Sequence, residues 1–320
     1  MTQKFDELVS RIQQIGLEHH AATLLENTRR NAEVIRQEHS IRECKQHHAP
    51  CIIASAGPSL YRQRILARVA EAGFTGTLVA TDGAYIQCLK AGLKPDWVVT
   101  IDPHPTRIVR WFGDKNWHEN SKHDDYFRRQ DLAEDFRADS SRANAENIRA
   151  VDAAKAKLVI CSASPANVVE RTSGFERFWF APLVDNPDAD GLTRTICAET
   201  GLPALNTGGT VGTAAWAFAH CVLKSTNIAV VGMDFGYPMG TPLEQTQSWH
   251  MLQGDASMYP QERGYWGEAF TDPTYYWYRR NMLDLLKANK ARIINCSGEG
   301  LLYGPGVGCM DLEQWLAYCS

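Results

Sequence analysis

The stretch Cys51-Ile-Ile-Ala-Ser-Ala-Gly57-Pro58-Ser59-Leu60 constrains this chain more than any other. A short apolar run gives way at once to small residues, a glycine and a proline, and a helical pattern follows from about Leu60. That order reads as a buried strand, a tight turn, and a helix whose free N–H groups face the turn. Such a helix start attracts anions, phosphate above all. The same grammar recurs near Asn206 and Gly232, which points to an α/β protein that handles nucleotides.

Apolar, β-rich runs occur at 51–55, 76–81, 97–101, 157–161, 176–181, 226–232 and 291–295. Helical patterns lie at 60–72, 83–91, 164–171, 208–223 and 273–288. Alternation of this kind predicts a Rossmann-like α/β fold, a mostly parallel sheet with helices on both faces. Ahead of it, residues 1–47 carry apolar residues at three- and four-residue spacing and read as N-terminal amphipathic helices, a candidate homo-oligomer contact. The Rossmann-like, nucleotide-handling domain then spans 48–320. Within it, charged residues 112–150 read as a helical insertion over one end of the sheet, and 238–271 as a binding loop or lid.

The net charge of −4 gives no global attraction to nucleic acid. Nine scattered cysteines without a C-x-x-C pair read as reduced residues, several of them in the core. The first residues lack the apolar stretch of a signal peptide, and no run approaches the ~20 residues that cross a bilayer. The expectation is a cytoplasmic protein without a membrane span or a nucleic-acid partner.

Five segments carry candidate chemistry. In Gly57-Pro58-Ser59 the glycine lets a ligand approach the backbone and the serine donates to phosphate, or simply caps the helix. Asp82 and Gly83 follow a strand, at the end where open α/β sheets bind ligands, although Asp82 could equally be a cap. Asp102 closes another strand and suits a ribose hydroxyl or a divalent cation. His104, held between two prolines, is a candidate base or an ordinary loop histidine. Thr207-Gly208-Gly209-Thr210 is a second glycine-rich helix entry, with donors for a phosphate or with small residues for close packing. Gly232-Met233-Asp234 ends a further strand, Tyr237 follows it, and His250 is the second candidate base. Three unpaired carboxylates at neighbouring strand ends would repel, so a cation or sugar hydroxyls should lie among them.

Taken together, Ile53–Leu60, Ala91–Pro103, Asn206–Val211, Val231–Tyr237 and Arg292–Gly300 resemble the superfamily that joins MptE-like 6-hydroxymethylpterin diphosphokinases with Maf (motility-associated factor) flagellin glycosyltransferases. The segments stand in family order across roughly residues 25–315. Thr-Ile-Asp-Pro-His at 100–104 departs from the Thr-Asp-Leu-Asp-Gly of archaeal diphosphokinases and looks closer to the Maf side. The Maf core is in turn similar to bacterial sialyltransferases that use cytidine-monophosphate sugars.

The resemblance implies a transferase with a nucleotide-activated donor and an acceptor that the sequence does not identify. In the leading reading it transfers sugar, for instance from a CMP-nonulosonate. Gly57, Pro58, Ser59, Asp82, Gly83, Thr207, Gly208, Gly209, Thr210 and Tyr237 then bind the nucleotide, and His250 or His104 takes the acceptor's proton. In the alternative, ATP donates diphosphate to a hydroxymethylpterin-like alcohol, which requires Mg²⁺ on Asp102 and Asp234. A non-catalytic nucleotide-binding module is the third reading. None of them calls for a tightly bound organic cofactor.

Overall fold

The structure is a computed structural model that describes residues 2–123, 134–154 and 156–319. Six strands form its centre: β2 (Pro50–Ala54), β3 (Thr77–Thr81), β4 (Trp97–Thr100), β5 (Lys157–Cys161), β6 (Glu176–Leu183) and β8 (Thr226–Val231). The pair β1 (His39–Ser40) and β7 (Ala204–Asn206) flanks β6, while β12 (Ile293–Asn295) and β13 (Val307–Cys309) extend the other side. Every pairing is parallel, in the order β1-β6-β5-β4-β3-β2-β8-β12-β13. All seven strands expected from the apolar runs are present. The strands β1, β7 and β13, each two or three residues long, fall below what periodicity can register.

Both faces of the sheet are buried, so its strands are continuous apolar runs. Within each run, successive residues alternate between faces. On β2, Ile52 and Ala54 join Leu60, Ile65 and Trp315, whereas Cys51 and Ile53 join Trp216 and Phe218 on the opposite side. The expected helix 60–72 is two helices, Pro58–Arg62 and Ile65–Glu71, because Arg64 between them adopts a left-handed φ of 49°. The helix expected at 208–223 runs from Val211 to Ala217 and widens into a π turn over Phe218–Val222. Four cysteines, Cys51, Cys88, Cys161 and Cys296, are buried, and burial pushes their thiols up to about 12.

After the N-terminal helix and β1, the chain enters the middle of the sheet at β2 and adds β3 to β6 outward on one side. It then returns to place β8 and β12 on the other. The reversal between β2 and β8 is a topological switch point, where connections leave in opposite directions and open a crevice at the carboxyl ends of the strands.

Three segments outside the sheet frame that crevice. The N-terminal segment is one helix, Gln3–Gln37, of 35 residues rather than several. In the 112–150 region, helices occupy Trp117–His123 and Glu134–Ala154, and residues 124–133 of the expected insertion lie outside the described residues. Val151 packs with Tyr85 and Phe112, so this part covers a face of the sheet. The expected loop 238–271 has its own small antiparallel sheet of β9 (Tyr237–Pro238), β10 (Gln261–Arg263) and β11 (Glu268–Phe270). Its apolar side closes on the first turns of the N-terminal helix, where Phe5 and Val9 pack with Tyr237, Leu252, Met258 and Phe270. No helix among the described residues is long and apolar enough to cross a membrane.

Phe5 is fully buried and stacks edge-on against Tyr276 at 5.4 Å. Truncating it removes the largest apolar side chain that this helix packs against the 238–271 segment and the helix Pro273–Ala288. Phe5→Ala should cost about 3–5 kcal/mol if the cluster cannot collapse, read as a lower midpoint in urea. Amide exchange in residues 249–259 should quicken more than exchange in β2 or β8.

Candidate functional site at the carboxyl ends of the strands

At the switch point the glycine-proline-serine turn is filled from within. Pro58 has no N–H, the Gly57 amide donates to Gly232 O at 2.8 Å, and the Leu60 amide donates to Gly57 O at 3.1 Å. Asp234 takes the rest: its Oδ2 accepts from the Ser59 amide at 2.8 Å and its Oδ1 from the Ser59 hydroxyl at 2.5 Å. The anion at this helix start is therefore the protein's own carboxylate, and Gly57, Pro58 and Ser59 form a strut where sequence suggested a phosphate cradle. Burial raises the Asp234 carboxyl to about 6 against the pull of these two donors.

Glycines make the closeness possible. A Cβ on Gly57 would lie 2.5 Å from Gly232 O and 2.7 Å from Asp234 Oδ2. Gly232 has φ +68°, and a Cβ there would stand 2.0 Å from Ser55 O. The 292–300 segment closes the back: Leu301 N donates to Asp234 O at 2.7 Å, and Gly300 packs against the Asp234 backbone. Three of the five motif segments are thus one interlocked knot.

The second glycine-rich entry is different. Gly208 and Gly209 have φ of 56° and 86°, and the side chains of Asn206 and Thr207 accept from their amides. Thr210 caps the helix by accepting from Thr213 N at 3.2 Å. The amides of Val211 and Gly212, the first two of the helix, have no acceptor among the described residues. Gly212 lies against Ser55, whose buried hydroxyl has no hydrogen-bond partner among the described residues, and neither has that of buried Thr213. Unmatched donors at a helix start, beside the end of β2, are the arrangement that receives an anion.

Asp82 and Asp102 stand on adjacent strands. Asp82 is buried, with Oδ1 accepting from its neighbour Gly83 N and Oδ2 from Thr100 Oγ1, both within 2.8 Å. Burial, with Asp102 adding repulsion, lifts its carboxyl to about 7. Asp102 is half-buried, and its Oδ1 accepts from His104 N at 2.7 Å. His104 Nδ1 accepts from the amides of Thr106 and Arg107, each at 3.3 Å, so this ring holds the loop in shape.

The remaining expected residues are dispersed. Tyr237 is buried in the lid, stacked on Tyr275 and Phe270. Its hydroxyl donates to Asp272 and accepts from Gln247 N. His250 is exposed on the short lid helix Trp249–Leu252. Asp102 and Asp234, expected to share a cation, follow strands three positions apart, a separation of about 14 Å at ~4.8 Å per strand. With both Asp234 oxygens on Ser59, the pair forms no common metal centre. Among the described residues no three His, Cys, Asp or Glu side chains converge on a metal position. A cavity of about 640 Å³ opens elsewhere, between Lys4–Arg11 and Met251–Met258.

Comparison with known proteins fits this architecture. Residues 22–118 match the family described as 6-hydroxymethylpterin diphosphokinase MptE-like. A Maf glycosyltransferase from Magnetospirillum magneticum AMB-1 superposes on 94% of the chain with a TM-score of 0.57 at 15% identity. The chain resembles the MptE-like and Maf superfamily in both sequence and fold. It spans 41% of the length of that Maf protein. No curated protein sequence matches it.

Sequence reasoning passed over Ser55, Val211, Gly212 and Thr213, because small hydroxyls and main-chain amides carry no signature until neighbours are in place. Two measurements follow from the geometry. Gly232→Ala should be far more destabilising than Gly73→Ala, which shares a positive φ of 63° but meets nothing within 4 Å. Gly73→Ala should cost only the backbone term of about 1–2 kcal/mol, and equal midpoint shifts in urea would contradict the knot. The Asp82 carboxyl is raised above its ordinary 3.8, so its protonated form favours the fold. Its contribution is complete below about pH 4 and is lost as pH rises through about 7. Stability measured between pH 5 and 8 should fall less steeply in Asp82→Asn than in the wild type.

Proposed function

We propose that this chain is a transferase acting on a nucleotide-activated donor, most simply a glycosyltransferase that uses a nucleotide sugar such as a CMP-nonulosonate. The observation that carries the reading is the pair of unmatched amides, Val211 and Gly212, beside the buried hydroxyls of Ser55 and Thr213 at the switch point. They suit the phosphate of the donor. As the sugar departs, negative charge grows on that phosphate, and preorganised donors at a helix start stabilise it without reorganising. Asp102 Oδ2 has no donor among the described residues and suits a ribose or sugar hydroxyl, with Asp82 behind it. Thr207 to Thr210 set the turn that aims the amides.

A second reading has specific support in the family match over residues 22–118: diphosphoryl transfer from ATP to a hydroxymethyl group. Mg²⁺ would then be held largely by the nucleotide's own phosphates with Asp102 as the protein ligand, since Asp234 is committed to Ser59. The metal would neutralise charge between the transferred phosphates.

Thermal-shift measurements against CMP, CDP, UDP, GDP and ATP, each with and without Mg²⁺, separate the readings. A ligand at about 100 times its dissociation constant adds ~2.7 kcal/mol. The expected result is stabilisation by CMP that ignores Mg²⁺. Stabilisation by ATP only with Mg²⁺ would transfer the assignment to diphosphoryl transfer, and silence throughout would refute nucleotide binding altogether.

A further inference from the structure

The central sheet is parallel throughout, so its strands also begin along one edge, opposite the crevice. Three adjacent strands, β2, β8 and β12, are entered there through segments 45–50, 223–226 and 286–293. These segments hold Lys45, Lys224, Lys287, Lys290 and Arg292, with His47 and His48, and no aspartate or glutamate. All seven of these residues are exposed. In a chain of net charge −4 they are a local reversal of sign. None of the five cations makes an ion pair among the described residues. The segments are tied together: His47 N donates to Leu223 O at 2.8 Å, and Thr226 N to Ala49 O at 3.0 Å. Ile294 pairs with Ala229, which brings Ala291 level with Thr226. Three strands at ~4.8 Å spacing make this basic belt about 10 Å wide along the edge.

Two of the lysines hold their places against the preference of the backbone. Lys290 follows the C-cap of the helix Pro273–Ala288 and Lys224 that of the π turn Phe218–Val222, with left-handed φ of 50° and 57°. Glycine is the usual residue at such a position, because a Cβ is strained there. Lys287, in the last turn of its helix, already serves the carbonyl end, so Lys290 adds charge that the helix does not need. Between Lys287, Lys290 and Arg292 opens a cavity of about 240 Å³, lined also by Leu286, Ala291 and Pro305.

We propose that this edge docks an acidic polypeptide segment of a partner protein. Its carboxylates meet the five cations, and one of its apolar side chains enters the cavity. Charge complementarity carries the choice of partner. A recess rimmed by cations takes a single side chain, whereas a lipid surface is flat and calls for apolar groups that protrude. The three segments contain no Phe, Tyr or Trp on which single-stranded nucleic acid stacks. Strand β2 is five residues long, so the partner sits about 16 Å from the carboxyl edge and leaves the crevice open. Docking here is independent of the chemistry at that edge.

The test is fluorescence anisotropy of a labelled peptide of repeated Glu-Glu-Leu triplets, titrated with the full chain. The peptide should bind, and more weakly as salt rises. The double variant Lys224→Gly, Lys290→Gly should lose about tenfold in affinity, while its midpoint in urea stays level or rises. A control that removes two charges elsewhere, Lys115→Gln with Arg149→Gln, should stay within about twofold of the wild type. No binding by the wild type, or equal losses in variant and control, would overturn the site. So would unchanged affinity with a lowered urea midpoint, which would leave the two lysines as helix caps. Tighter binding of an oligothymidylate, or of vesicles of phosphatidylserine and phosphatidylcholine in equal parts, would overturn the polypeptide assignment. A sedimentation coefficient of the protein alone that falls in the glycine variant would give the edge to a second copy of this chain instead.

Discussion

The Asp234 carboxylate, buried behind the turn that follows β2, is the interaction on which the rest of this structure depends. It takes both the amide and the hydroxyl of Ser59, and in doing so ties the end of β8 to the first helix after β2. Those two strands are where the sheet reverses direction. An unpaired carboxylate there would cost several kcal/mol, so the turn must close on it. Gly57, Gly232 and Gly300 are glycines because any side chain would occupy that same space.

Filling one helix start from within leaves the other to receive the anion proposed above. The Val211–Ala217 helix keeps two amides unmatched among the described residues, with Gly212 next to Ser55, while the first amides of the Pro58–Arg62 helix are taken by Asp234 and Gly57. The acids divide in the same way. Asp234 is structural, Asp82 is buried behind Thr100 and Gly83, and Asp102 alone of the three keeps a carboxylate oxygen without a donor among the described residues. The crevice is therefore asymmetric, with amides and hydroxyls on one side and a carboxylate on the other. That polarity suits the proposed donor, with a phosphate at one end and hydroxyls at the other.

The N-terminal helix contributes through its length. At 1.5 Å per residue its 35 residues span about 50 Å, enough to pack on the lid at one end and on β1, β5 and β6 at the other. Lid and sheet are thus linked by a rigid element as well as by the chain between them. A loosened Phe5 cluster would be felt at the lid, and a displaced helix would be felt at Pro103, whose carbonyl accepts from Asn27.

The sequence by itself determined the layers. Continuous apolar runs of four to eight residues bounded by turn residues read as strands buried on both faces, and their alternation with helical patterns points to parallel crossovers. Glycine and proline punctuation located each strand end, which is why Asp82, Asp102 and Asp234 could all be placed at the carboxyl edge of the sheet. Only the tertiary structure decided what each of them does. Gly-Pro-Ser and Thr-Gly-Gly-Thr are equivalent as turns until β8 packs beside β2 and brings a carboxylate to one of them. Local pattern fixes which groups are available, and long-range packing fixes which of them are already spent.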